Sequence, residues 1–384
     1  MEDIRRNNKT IPAVVMGLLL VLCMIGVLWF PAETASGAGR GVAYCMNILV
    51  PSLFPFMTLS TLMVLSGFAE RIGYLLRGVV RGLFYLPGCA GAAILMSLVG
   101  GYPVGAKSIA ALWEKGSLTD EQAARMLCFC VNSGPAFVIT AVGYGMLGSI
   151  RSGLLLLTAL IFPPIIFGIG MGIVVRKRGI SCGTPAPVSR KKEQTGVPAI
   201  VTATADASRA TLMMCAFVIL FSALNYLLHA AGISVFLAQL LTACGISPNT
   251  ASAALSVLLE VVSGCTECAV TGVGLPFIAF ALGWGGLCIH FQIFSVLGSI
   301  PISKVRFYLF RVLHGLISAL LVLLGQRLLP VEVPSFSTIS SPVSAGIASS
   351  LPGTVALLAL SILLLFSLKR EWKLSKKGGI IGPV

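Results

Sequence analysis

The sequence has few charged residues, and acidic residues are the scarcest of them. Only 10% of the 384 residues are charged, and 13 aspartates and glutamates stand against 27 lysines and arginines. A water-soluble domain carries about 25% charged residues, so this composition excludes a soluble globular protein. Apolar segments of about twenty residues recur instead, and each is long enough to cross about 30 Å of hydrocarbon. Because only helices and closed barrels satisfy the backbone in lipid, we predict an all-α polytopic membrane protein.

Motifs of common enzymes and pumps are also missing. The sequence contains no His-Glu-x-x-His pair and no P-loop ending in Gly-Lys-Ser/Thr, which argues against an enzyme and against ATP-driven transport by this chain alone. Cys265 and Cys268 have the spacing of a metal site, but no second cysteine pair and no suitably spaced histidines accompany them. We therefore expect no cofactor and no metal, and we leave H⁺ or Na⁺ open as a coupling ion.

The net charge of +14 is concentrated at the ends of the apolar segments. Its clusters run from Arg71 to Arg81, from Arg176 to Lys192, from Lys304 to Arg311 and from Lys369 to Lys377. Basic clusters in short loops are typical of the positive-inside rule rather than of a nucleic-acid-binding surface. They predict an integral membrane protein whose N- and C-termini both lie in the cytoplasm.

Apolar runs between the basic loops predict eight crossings. They cover about residues 11–30, 45–67, 126–149, 152–176, 211–231, 275–298, 306–329 and 353–368. Two other apolar stretches, 91–114 and 251–272, are interrupted, and each side of the interruption is too short to span the membrane. Counting the first as a crossing would place the cluster after Arg176 outside the cell. We therefore predict two re-entrant helical hairpins that enter from opposite faces, with a short interfacial helix at 233–247.

The two halves of the chain look like an inverted repeat of a hairpin, a broken transmembrane helix and a crossing. Residues 147–150 and 297–300 both read Leu-Gly-Ser-Ile, and counting back equally from them aligns the two helix breaks. The first half has an additional polar turn, in which Thr119 and Gln122 form a capping-box pattern. The expected domains are an N-terminal transmembrane helix and loop (1–44), a first repeat (45–176), a cytoplasmic linker (177–210), a second repeat (211–330), and an extracytoplasmic loop with the last helix and basic tail (331–384).

Paired interruptions in corresponding halves point to the substrate site of a secondary transporter. Ionisable residues at membrane depth are candidates for function, since burying them is costly. Lys107 follows the first interruption, where an ammonium beside a half-helix N-terminus suits a carboxylate, although the side chain could instead extend to the membrane surface. Glu260 precedes the second interruption, where it could hold a coupling proton or sodium ion, pair with Lys107, or form a structural ion pair.

Uncharged groups beside the interruptions are further candidates. His290 could relay protons, although a backbone carbonyl could equally satisfy it. Asn132 and Ser133 offer polar side chains or mark a bare kink, and Tyr102 offers a stacking surface for a flat ring or packs in the core. The predicted substrate-binding residues are Gly101, Tyr102, Pro103, Gly105, Lys107, Asn132, Ser133, Gly134, Glu260, Ser263, Gly264, Gly285, Gly286, His290 and Gln292.

Several of these segments, taken in order, resemble the motifs of a known membrane-protein family. They are Gly100–Lys107, Asn132–Pro135, Leu259-Glu260 with Ser263-Gly264, Gly285-Gly286 with His290 and Gln292, and Val50–Phe56. From about residue 45 to residue 330, the chain resembles the sporulation integral membrane proteins of the YlbJ type. That family carries two nucleoside-recognition (Gate) domains and is similar to the concentrative nucleoside transporters.

The resemblance implies a transporter of endospore-forming cells that lies in the outer forespore membrane. It implies that dipicolinic acid (pyridine-2,6-dicarboxylate), a small aromatic dicarboxylate, passes from the mother cell toward the spore. Transport of nucleosides or another small solute is one alternative, and a non-transporting membrane component of spore cortex or assembly is another. The expected partners are a small organic anion and the lipid bilayer, with no nucleic acid, and a homo-oligomer is left open.

Overall fold

The computed structural model describes residues 2–180, 194, 196–298 and 300–328 of the chain. Over this part the protein is entirely helical and contains no strand, as the composition predicts. The predicted loop at 331–350, the helix at 353–368, the basic tail and residues 181–193 of the linker lie outside the described residues.

Helices follow one another with short connections. Within residues 2–180 they are α1 (Glu2–Trp29), α2 (Pro31–Tyr44), α3 (Val50–Leu65), α4 (Phe68–Leu75), α5 (Arg77–Val79), α6 (Ala90–Val99), α7 (Tyr102–Glu114), α8 (Asp120–Phe129) and α9 (Ile150–Lys177), with π-helical segments at Cys45–Leu49, Val80–Phe84 and Ala136–Met146. Within residues 196–298 and 300–328 they are α10 (Val197–Ala230), α11 (Ile233–Ala243), α12 (Pro248–Leu259), α13 (Val261–Thr271), α14 (Leu275–Trp284), α15 (Gly286–Leu297) and α16 (Lys304–Leu328). We call Ala136–Met146 the π segment.

The described residues contain five helical runs that are long and apolar enough to cross a membrane. These runs are Pro31–Leu65, Ile150–Lys177, Val197–Ala230, Leu275–Leu297 and Lys304–Leu328. The run through α14 and α15 is 72% buried inside the protein, whereas the other four are only 17% to 33% buried. Helices α14 and α15 therefore form the centre of the bundle, and the other runs present apolar side chains to the surrounding lipid.

The first of these runs begins earlier than the sequence predicts. Residues 31–44, predicted as a loop, form α2 and continue through Cys45–Leu49 into α3. The prediction was wrong because small residues lower the hydropathy of α2. A Cβ added at Gly41 would lie 2.7 Å from Cα of Ile219 in α10, and one at Gly37 would lie 2.9 Å from the Ser222 carbonyl oxygen. These glycines let the backbones of two membrane helices touch, so they are packing residues rather than loop residues.

Helix α10 also extends beyond its predicted crossing at 211–231. It begins at Val197, so residues 197–210 of the predicted linker are helical. Pro198 lies in the first turn of α10, where the missing N–H of proline has no helical partner to lose. The proline that suggested a linker therefore marks the start of a helix.

The predicted crossing at 126–149 is divided into α8 and the π segment, with non-helical residues 130–134 between them. Gly134 lies in this break, and Pro135 begins the helical turn that follows it, where the missing N–H of proline has no helical partner to lose. The predicted capping box at the start of α8 is confirmed, since Thr119 accepts from the Gln122 N–H while the Gln122 side chain accepts from the Thr119 N–H. The crossing at 275–298 is likewise broken at Gly285, which has φ +86°.

The interruptions predicted within 91–114 and 251–272 are sharp turns. Helix α6 ends at Val99 and α7 begins at Tyr102, and a Cβ added at Gly105 would lie 2.7 Å from Cβ of Ser97. Eight residues of a continuous helix would separate these positions by about 12 Å. Across the second interruption, a Cβ at Gly264 would lie 2.7 Å from Cα of Val257. In each pair, the second half-helix folds back on the first.

Candidate solute site

Four interruptions of the helices come together in the centre of the bundle. The turn between α6 and α7 touches the break between α8 and the π segment, because a Cβ added at Gly134 would lie 3.1 Å from the Cα and N of Gly101. The turn between α12 and α13 touches the break between α14 and α15 in the same way. There, a Cβ added at Gly286 would lie 3.0 Å from the Cα and N of Glu260. Both contacts join backbone to backbone, and a side chain at either glycine would separate the segments.

Tyr102 connects these two contacts. Its hydroxyl lies 2.5 Å from Oγ of Ser133 and donates a hydrogen bond to the carbonyl oxygen of Leu282 in α14. Ser133 donates to the same carbonyl at 3.0 Å. An added Cβ at Gly285 would lie 3.5 Å from the Tyr102 ring. The four interruptions are therefore parts of one cluster.

A cavity opens beside this cluster and contains about 40 Å³ of water-accessible space. Its polar groups lie at three of the interruptions, at Gly101, Gly134 and Glu260, and at Tyr102 and Gln292. The rest of its wall comes from apolar residues of the π-helical segment Cys45–Leu49, of α3, α6, α7, α10, α13 and α15, and of the π segment. They are Leu49, Leu53, Phe56, Met57, Val99, Pro103, Ala136, Phe137, Met214, Val218, Val261, Val262 and Ile289, together with Gly100. A mostly apolar pocket with a few converging polar groups is typical of a small-molecule site.

Glu260 is the N-cap of α13. Its carboxylate accepts hydrogen bonds from the N–H groups of Val262 at 2.8 Å and Ser263 at 2.6 Å, and only 1% of the residue is exposed. A carboxylate at a helix N-terminus satisfies N–H groups that have no helical partner and faces the positive end of the helix dipole. The negative charge that the sequence assigns to the second interruption is therefore held by backbone groups.

Lys107 lies apart from this cluster. Its side chain is exposed on α7, whereas Tyr102, Gly105 and Ala106 of the same helix are buried. It does not line the cavity, and the structure does not bring it together with Glu260, whose carboxylate binds Val262 and Ser263. The positive end of α7 itself reaches the cavity instead, since Gly101, Tyr102 and Pro103 line it and no side chain caps this N-terminus.

The remaining predicted site residues lie around the interruptions. Asn132 donates to the Phe129 carbonyl oxygen at 2.9 Å and leaves its Oδ1 without a partner, and Ser263 donates its backbone N–H to Glu260. His290 is fully buried, and its Nε2 lies 2.9 Å from the Trp284 carbonyl oxygen across the α14–α15 break. Gln292 lines the cavity and makes only a long contact of 3.4 Å to the Cys288 sulfur. The positions of Gly105 and Gly264 allow the close approach of their half-helices.

The positive-inside pattern placed Arg311 in a cytoplasmic basic cluster. In the structure, Arg311 lies on α16 and is completely buried in the protein interior. Its guanidinium donates to the carbonyl oxygens of Val131 and, at 3.3 Å, Cys128, which lie at the end of α8 and in the break that follows. His314, one turn later, is also fully buried, with Nε2 3.0 Å from the Leu160 carbonyl oxygen. The signal in the sequence is a spacing of three and four residues, which places these buried residues on one helix face: Phe307, Arg311, His314, Ser318 and Val322.

Comparison with known proteins agrees with the motifs. Residues 47–150 match the family model described as nucleoside recognition (Gate). The chain is 26% identical over 341 residues to the sporulation integral membrane protein YlbJ of Bacillus subtilis (strain 168), and the match covers 83% of this chain and 84% of the relative. No solved structure matches the chain significantly. Residues 47–150 are therefore similar to the nucleoside-recognition (Gate) family, within an integral membrane protein that is similar over most of its length to YlbJ.

Proposed function

We propose that the protein is a membrane transporter, not an enzyme, and that it moves a small organic solute through the cavity at the four interruptions. The observation that carries this proposal is the meeting of all four interruptions in one cluster, three of which line the cavity at Gly101, Gly134 and Glu260. Unwound backbone at membrane depth is tolerated where it is buried in protein or lines a cavity, and transporters place their substrate sites at such broken helices. A purely structural membrane protein has no need of four interrupted helices around a pocket.

The proposed architecture is an inverted repeat, in which α6–α7 and α12–α13 are re-entrant hairpins that enter from opposite membrane faces with both termini in the cytoplasm. The contacts within each half support this proposal. In the first half the turn of the folded pair touches the following broken helix at Gly101 and Gly134, and in the second half the same pairing recurs at Glu260 and Gly286. Equivalent contacts in two halves are expected when both descend from one structural unit.

The proposed substrate is a small aromatic dicarboxylate, dipicolinic acid, which would pass from the mother cell across the outer forespore membrane. The name of the YlbJ relative supports a role in sporulation. The uncapped N-termini of α7 and of the π segment, both at the cavity, support an anion, because helix N-termini attract negative charge. The ring of Tyr102 lines the same cavity and offers a surface for an aromatic solute.

Uptake of labelled dipicolinate by liposomes that contain the purified full-length protein tests this proposal. We expect saturable uptake that Gln292→Leu lowers about tenfold, since the substitution removes a polar group from the cavity wall at a cost of about 1–2 kcal/mol. Gln239→Leu is the matched control, because Gln239 is exposed on α11. No saturable uptake by the wild-type protein, or equal uptake by the two variants, would overturn the proposal.

Lys107→Ala separates two versions of the anion site. If the anion binds at the N-terminus of α7, this exposed lysine can be removed with little loss of uptake. If Lys107 contacts the solute in another conformation, as the sequence suggested, the same variant loses most of its uptake.

Transport of a nucleoside is the second candidate, because residues 47–150 match a family described as nucleoside recognition. Nucleosides that compete with dipicolinate for uptake, or that are themselves taken up more readily, would favour this candidate. Cells that lack the gene separate transport from a role in spore assembly. Spores that are normally assembled but lack dipicolinate would count against the assembly role.

A further inference from the structure

Arg311 is a fully buried cation without an anionic partner among the described residues. Its guanidinium bonds are to the carbonyl oxygens of Val131 and Cys128, and its Nε has no hydrogen-bond partner. Helices α9, α14 and α16 contain no acidic residue. Helix α8 carries Asp120 and Glu121 only in its first turn, about 10 Å along the axis from Cys128. A buried charge without a counterion is costly, so its presence calls for an explanation.

The C-terminal end of α8 balances part of the positive charge of Arg311. The C-terminal end of a helix carries the equivalent of about half a negative charge, which the carbonyl oxygens of Cys128 and Val131 present to Arg311. About half a positive charge is therefore left over. The N-termini of the π segment and of α7, which have no side-chain caps, add to it on the same side of the cavity.

The excess positive charge lies close to the cavity. Val131, which accepts from Arg311, is three residues before Gly134 in the cavity wall. On the opposite side, the carboxylate of Glu260 is largely balanced by the N-terminal end of α13, to which both of its oxygens are bonded.

We propose that Arg311 is a specificity-determining residue, which makes the central cavity select a solute with a carboxylate group over a neutral solute of the same shape. The inference rests on the proposed transport function and names the residue that sets the substrate class of the cavity. Arg311 acts through its field and through the position of the Val131–Gly134 segment, without lining the cavity itself. The carboxylate is expected on the side of Gly101 and Gly134, where the field is positive.

The test compares dipicolinate with pyridine-2,6-dicarboxamide, which has the same ring and nearly the same size but no charge. Uptake of both is measured with the full-length protein in liposomes. A unit charge about 10 Å away in a medium of effective dielectric constant about 20 changes affinity about 15-fold. We therefore expect Arg311→Gln to lower the preference for the dicarboxylate about 15-fold, mainly through KM. Arg311→Lys keeps the charge and should retain most of the preference, whereas Arg327→Gln removes the same charge from the exposed end of α16 and should retain all of it.

A second pair of variants tests the charge without removing Arg311 or its carbonyl partners. Cys128 is buried, its carbonyl oxygen accepts from Arg311, and its side chain lies close to Arg306 and Arg311. Aspartate and asparagine at this position differ only in charge, and an ionised aspartate would offset the positive charge of both arginines. Cys128→Asp should therefore lower the preference for the dicarboxylate, while Cys128→Asn retains it. This pair of variants tests whether the charge sets the preference for the dicarboxylate even if Arg311→Gln fails to fold.

The outcomes separate this inference from the proposed function. If the wild-type protein transports dipicolinate but Cys128→Asp and Cys128→Asn show the same preference, Arg311 only caps α8 and the inference is wrong. Equal loss of both solutes in Arg311→Gln, with Arg311→Lys no better, leads to the same conclusion. If the wild-type protein neither transports nor is thermally stabilised by either solute, the proposed function and this inference both fall.

Discussion

Replacement of Glu260 by alanine should destabilise the protein through the N-terminus of α13. The carboxylate accepts from two buried N–H groups, at 2.8 Å from Val262 and 2.6 Å from Ser263. A buried donor left without a partner costs about 1–3 kcal/mol, and loss of a helix N-cap costs about 0.5–2 kcal/mol. Because the two N–H groups share one cap, we expect Glu260→Ala to lower the free energy of unfolding by about 2–4 kcal/mol. Glu260→Gln keeps one acceptor oxygen and should lose about half as much.

Chemical unfolding of the detergent-solubilised protein measures this free energy, and hydrogen exchange of residues 261–264 locates the change. Exchange at Val262 and Ser263 should accelerate in Glu260→Ala, while exchange in α16 is unaffected. Glu267→Ala on the same helix is the control, and it should cost less than about 1 kcal/mol because Glu267 is only partly buried and caps nothing that the structure describes. If Glu260→Ala unfolds like the wild-type protein and its amides exchange no faster, the carboxylate does not hold the turn between α12 and α13.

Three further substitutions test other parts of the structure. Gly283→Ala should destabilise by about 1–3 kcal/mol in chemical unfolding, because its Cβ would lie 2.6 Å from Cα of Gly315, whereas Gly170→Ala in the open on α9 should be neutral or slightly stabilising. Thr119→Ala should cost about 1 kcal/mol and accelerate exchange in the first turn of α8, since it removes half of the capping box. Tyr102→Phe should weaken the closed cavity by about 0.5–1.5 kcal/mol through loss of the hydrogen bond to the Leu282 carbonyl oxygen, seen as faster exchange around Leu282. Unchanged exchange in either of the last two variants would contradict the contact concerned.

The interruptions of the helices could be predicted from the sequence because they require particular residue types. Gly101 and Gly285 have positive φ, which glycine adopts without strain, and Pro135 cannot complete a helical hydrogen bond. These residue types can be recognised in the sequence without any knowledge of the tertiary packing. Their meeting at one cluster was a reasonable prediction from the repeat, although the contacts of Tyr102 with Ser133 and Leu282 depend on tertiary packing alone.

Whether each ionisable side chain faces the protein interior or the surface could not be predicted from such residue types. Lys107 and Arg311 are both basic, and each belongs to a helix next to an interruption, but one is exposed and the other is fully buried. The sequence predicted Lys107 at the solute site and Arg311 in a cytoplasmic cluster, because the position along the chain does not tell which face of the helix a side chain occupies. Helices α2 and α10 exceed their predicted bounds for a related reason, since the small residues of α2 look polar until their packing partner is known.

The central cavity is too small for the proposed solute, and the contacts that close it suggest how it opens. Its volume of about 40 Å³ is far below the roughly 300–1,000 Å³ of pockets that enclose small organic ligands. The closing contacts between α7 and α14 are neutral hydrogen bonds of Tyr102 and Ser133 to one carbonyl oxygen, that of Leu282. Breaking such bonds costs about 1–3 kcal/mol, which leaves an open state populated at about 0.5–15% and available for a ligand to select. The charged groups at the cluster are bound differently, since Glu260 is bonded to the N–H groups of its own turn and Arg311 to carbonyl oxygens at the end of α8. The charges that would select the solute can therefore stay in place while the neutral contacts open and close.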